Sequence, residues 1–115
     1  MTEEMEHLCK EVERWGLEPL MPLQTTKDIN EAAFEQFNET AKALARQLKD
    51  SEMIPRRAVD CLYVTMGILK NEADYSRNKE RVMQMALAVN EAFGAILEGQ
   101  AVEDRKPANP RIVSK

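Results

Sequence analysis

A chain of 115 residues suits a single domain, and at this size a core can form without a metal or disulfide staple. Sixteen Lys and Arg against 20 Asp and Glu give a net charge of −4, which argues against general affinity for phosphate backbones. Two cysteines are too few for a secreted disulfide scaffold. No apolar run approaches the roughly 18 residues of a membrane span, and the acidic start MTEEMEHLC is unlike a signal peptide.

The expected compartment is therefore the cytoplasm, with Cys9 and Cys61 reduced. Four glycines leave little for turns between strands, which favours helices. With aromatics at 5%, the core must rest on Leu, Ala, Met, Ile and Val.

The first predicted helix is TEEMEHLCKEVERWG. Met5, Leu8, Cys9, Val12 and Trp15 recur at helical spacing, Thr2 is placed to cap it, and Gly16 is the expected stop. Residues 17–27, LEPLMPLQTTK, hold two prolines that deny a helix, yet they are too apolar for a solvated linker. They are expected to form an ordered connection across the bundle. Asp28 then opens a second helix, with Glu31 completing a capping box. Phe34, Phe37, Ala41, Leu44 and Leu48 step three and four apart, a packing seam that ends near Asp50.

Pro55 suits the first position of a third helix, PRRAVDCLYVTMGILKN. Its β-branched content would also fit a strand, but its length favours a helix. A fourth helix, RVMQMALAVNEAFGAILEG, carries the seam Val82, Ala86, Val89, Phe93 and Ile96 and stops at Gly99. The chain from Gln100 onward holds little to bury and is expected to be mobile. The fold class is thus all-α: an antiparallel helical bundle of about four helices. Residues 1–99 form the domain and 100–115 a flexible basic tail, most simply on an up-and-down bundle.

Two surfaces stand out. Helices three and four are apolar nearly all the way round, so more than one side must be covered. Either the 17–27 connection covers the surplus or a second subunit does, most simply in a symmetric dimer. The candidate self-association face is Val59, Tyr63, Val64 and Ile68 on helix three with Met83, Met85 and Leu87 on helix four. Gly67 within helix three would admit a close backbone approach.

The second surface is basic. Lys42, Arg46 and Lys49 share one side of helix two, and Arg56 and Arg57 open helix three across the turn. In an antiparallel bundle the tail leaves from the same pole and adds Arg105, Lys106, Arg111 and Lys115. The patch could take nucleic acid or an acidic protein, or its charges could simply pair with Glu39, Asp50 and other neighbours. No aromatics interleave the cations, which weakens stacking on single strands. Residues 43–59 lack the turn glycine and short link of a helix-turn-helix.

Chemistry finds little support. His7 is the single histidine, and Cys9, two positions on, does not share its face. Glu4 and His7 make one Glu-x-x-His, where a di-metal bundle site needs two such pairs and further carboxylates. No catalytic residue, metal, cofactor or small-molecule substrate is expected. The expected function is a non-enzymatic interaction or regulatory module that self-associates, with a homodimer as the first expectation. The alternatives are a nucleic-acid-binding regulator and a chaperone-like adaptor or inhibitor of a larger protein.

Overall fold

In a computed structural model of the chain, residues 2–17 and 29–105 are described. Four helices are present among them: α1 Glu3–Leu17, α2 Glu31–Gln47, α3 Arg56–Ala73 and α4 Lys79–Glu98. A short 3-10 turn follows at Val102–Asp104. Leu17, expected to begin the connection, instead ends α1; the rest of that connection (18–27), the Asp28 cap and the tail beyond Arg105 lie outside the described residues.

Local sequence accounts for most helix ends. The Thr2 hydroxyl accepts the Met5 N–H at 3.1 Å and starts α1 as expected. The cap of α2 is Asn30, whose side chain accepts the Ala33 N–H at 3.1 Å. This displaces the expected capping box, because Glu31 becomes the first helical residue and turns outward to Arg81. Pro55 stands as the N-cap of α3, one place before the first turn. Gly99 closes α4 in the left-handed region (φ 71°), where a side chain would be strained. The Gln100 N–H then reaches the Ala95 carbonyl and the Gly99 N–H reaches that of Ile96, which satisfies two end carbonyls.

Gly16 is not the stop of α1. It lies buried one residue before the helix end, and a Cβ there would sit 2.8 Å from Cys61 Sγ. The residue is small because α3 passes close, not because the helix must turn. Gly67, by contrast, has nothing within 4 Å of a built Cβ, so no neighbour within the chain uses its smallness.

The packed pairs are α1 with α2, α1 with α3, α2 with α4, and α3 with α4. Helix direction alternates along the chain: Glu4 bonds Gln47 at 3.0 Å, and the Asp50 N–H bonds the Gly99 carbonyl at 2.9 Å. The start of α1, the ends of α2 and α4 and the start of α3 thus share one pole. An up-and-down order would place α2 beside α3. Here the two hairpins α1–α2 and α3–α4 stack instead, and the link over 48–55 crosses the pole. Eight residues span up to about 26 Å, ample for a diagonal crossing.

The expected seam of α2 is the centre of the core: Phe34, Phe37, Ala41, Leu44 and Leu48 are all buried. Val12, Leu62, Leu69, Val82, Val89 and Ile96 close around it. Two buried hydroxyls lie in the interior, and that of Thr40 donates to the Gln36 carbonyl at 2.8 Å. No helix among the described residues is long and apolar enough to cross a membrane.

The chain after α4 departs from expectation. Ala101 is buried and Val102 packs against the core, so residues 100–105 belong to the bundle. A side-chain oxygen of Asp104 accepts the Ala101 N–H at 3.3 Å and holds the turn closed.

Candidate functional site

The described cations of the expected basic patch mostly meet acids. Arg46 donates to Glu103 at 2.8 Å, and Lys49 meets Asp104 at 2.8 Å. Both acids come from the 3-10 turn that follows α4. Lys42 pairs with Glu39 at 3.5 Å and Arg57 with Glu13 at 3.3 Å. Arg105 lies across Gly94, between Glu98 at 3.2 Å and Glu91 at 3.5 Å. The Glu103 carboxyl is held below the usual carboxylate range by its own backbone N–H and by Arg46. Lys49, then the Ala101 N–H, does the same for Asp104. Five of the expected patch residues thus each meet an acid. Arg56 forms no ion pair among the described residues. Lys106 and Arg111 lie outside them.

The candidate self-association face is divided. Met85 is buried in the core at 1% exposure, because 82, 85, 86 and 89 share the inward arc of α4; it is no part of a surface. Val59, Ile68 and Met83 are half-buried. Tyr63 (57%), Val64 (47%) and Leu87 (57%) are exposed, and so is Leu97 (55%). Within the described residues α3 and α4 are therefore not covered all round; the connection expected to help cover them lies outside those residues.

Two open grooves flank the outer ridge of α3. One, of about 420 Å³, is lined by Ile54, Arg56, Val59, Asp60, Tyr63 and Phe93. Its wall is the tilted ring pair Tyr63–Phe93, with centroids 5.8 Å apart. The other, of about 320 Å³, runs between α1 and α3 and takes in Gly16, Cys61, Val64 and Ile68. Asp60 stands between the two and lines both.

Sequence reasoning missed Ile54 and Asp60 at this surface. The apolar pair Met53-Ile54 inside the polar link DSEMIP was the available signal. Met53 projects from that link at 82% exposure.

The thiols are poorly placed for chemistry. Burial first, and then Glu13 and Glu6, pushes the Cys9 thiol up. Burial also raises Cys61, whose Sγ donates to the Val12 carbonyl at 3.6 Å. Neither is the depressed, electropositive cysteine of a nucleophile. Among the described residues no three of His, Cys, Asp and Glu converge to hold a metal ion.

Comparison with protein-family models, with curated proteins and with solved structures returned no match to this chain.

Proposed function

We propose that this chain is a small non-enzymatic helical module that works through protein–protein contact, with self-association into a homodimer as its basic mode. The observation that carries it is the apolar surface left on the α3–α4 hairpin. Tyr63, Leu87 and Leu97 stay exposed on helices whose inner faces already fill the core. Isolated exposed apolar residues are ordinary. Here Ile54, Val59, Tyr63 and Phe93 line one groove beside the protruding Met53. Tyr and Met are the residue types favoured at interface centres.

The paired charges of the pole remove the main support for a nucleic-acid role. Equilibrium sedimentation over a dilution series tests the proposal. The apparent mass should rise from 13.1 kDa towards twice that value as concentration increases. A mass of one chain throughout contradicts self-association.

A further inference from the structure

Among the described cations of this pole, Arg56 is the exception. Lys42, Arg46, Lys49, Arg57 and Arg105 each meet an acid. Among the described residues Arg56 does not, and neither does Asp60, one turn further along α3, although (i, i+4) spacing would let the two pair. Both are exposed, and both rim the groove whose apolar lining is Ile54, Val59, Tyr63 and Phe93.

We infer that this groove is a two-fold contact with a second copy of the chain, in which Arg56 of each copy meets Asp60 of the other. The inference depends on the self-association proposed above and names its surface. In a two-fold contact the same patch serves on both sides. Antiparallel α3 helices centred near residue 58 set position 56 opposite 60 and position 60 opposite 56, which gives two opposite-charge pairs. The half-buried Val59 then lies near the axis. A single-sign rim would repel its own copy, whereas one cation and one anion a turn apart make the patch self-complementary. So few residues a side are at the small end of specific interfaces, so the dimer is concentration-dependent and weakened by salt.

Charge reversal tests the contact. Arg56→Asp and Asp60→Arg should each give a mass of 13.1 kDa at concentrations where the unaltered chain is mostly dimeric. An equimolar mixture of the two variants should recover the dimer, because each aspartate then faces an arginine at both contacts. The double variant R56D/D60R should recover it alone. Both sites are exposed, so helical circular dichroism should be unchanged. Arg56→Gln and Asp60→Asn should each lower the dimer fraction, with partial recovery on mixing, because the mixed dimer regains one of the two Arg56–Asp60 pairs. If neither reversal alters a dimeric mass, self-association stands and this contact is wrong. If both variants are monomeric but neither the mixture nor the double variant recovers, the Arg56–Asp60 pairing is wrong. If the unaltered chain is monomeric up to millimolar concentration, self-association itself fails.

Discussion

The Cys61 sulfur lies 2.8 Å from the point where a side chain on Gly16 would begin. The Phe37 ring and the Thr65 hydroxyl, each at 3.4 Å, close the same space. At this spot α1 meets α3 with room for hydrogen only. Gly16→Ala would ordinarily help a helix by up to about 1 kcal/mol. Here overpacking should outweigh that gain and destabilise by about 1–3 kcal/mol. Chemical denaturation of G16A, C61A and the double variant checks this. The double should lose less than the two singles together, since removing the sulfur makes the space.

The turn after α4 should matter to stability. Burial of Ala101 and Val102 contributes about 1–2 kcal/mol by apolar area alone. Ending the chain at Gln100 should therefore lower the urea midpoint and free Arg46 and Lys49 from Glu103 and Asp104. An unchanged midpoint would show that the turn adds nothing.

Arg81 grips Glu31 with two hydrogen bonds, of 2.7 and 2.9 Å, between residues 50 apart in sequence. Its guanidinium also lies over the Phe34 ring, 5.7 Å from the centroid. The hydrogen bond from Arg81 holds the Glu31 carboxyl below its ordinary range. A carboxyl depressed in the folded state stabilises above its unfolded pKa and loses that contribution as pH falls through the folded value. Glu31, Glu103 and Asp104 share this direction. Stability should thus be level at neutral pH and fall below about pH 4. Glu31→Gln should make the acid-side decline shallower, as read from denaturation midpoints at pH 7 and pH 3.

The thiols predict the opposite side. Burial favours the neutral form of Cys9 and Cys61. That stabilisation is complete below the usual thiol pKa and is lost as pH rises through the raised folded values. Both should alkylate slowly at pH 7 in the native chain and rapidly in urea. Rapid native labelling of Cys61 would contradict its placement against Val12.

Val64 and Leu62 separate surface from core on one helix. Leu62 is fully buried, and Leu62→Ala should cost about 2–5 kcal/mol. Val64 is half exposed and lines the groove beside α1, away from Tyr63. Val64→Glu should shift stability by about 0.5 kcal/mol or less and leave the self-association of the chain intact. Comparable losses from the two changes would contradict the assigned faces.

Periodicity made the helices and the α2 seam legible, because Phe34 through Leu48 repeat one local spacing. Gly99 and Thr2 were legible for the same reason: capping is decided within one turn. The misplacements all involve partners distant in sequence. Gly16 is small because of Cys61, 45 positions away by sequence number. Glu31 is held by Arg81, not by its own cap, and Asn30 takes that role. The 3-10 turn owes its place to Arg46 and Lys49, 57 and 55 positions before the acids they meet. The basic pole was legible as a cluster, but the acids that neutralise it were not, because the pairing depends on where the chain returns after α4. Met85 entered the surface face because α4 is apolar on several sides, and composition alone does not say which side turns inward.

The most direct test of the central claim is a dilution series followed by amide NMR of the full chain. Self-association through the α3–α4 hairpin predicts concentration-dependent shifts at Ile54, Asp60, Tyr63, Phe93 and Leu97, with the outer face of α2 unmoved. Shifts confined to α2, or none over a hundredfold dilution, would contradict it.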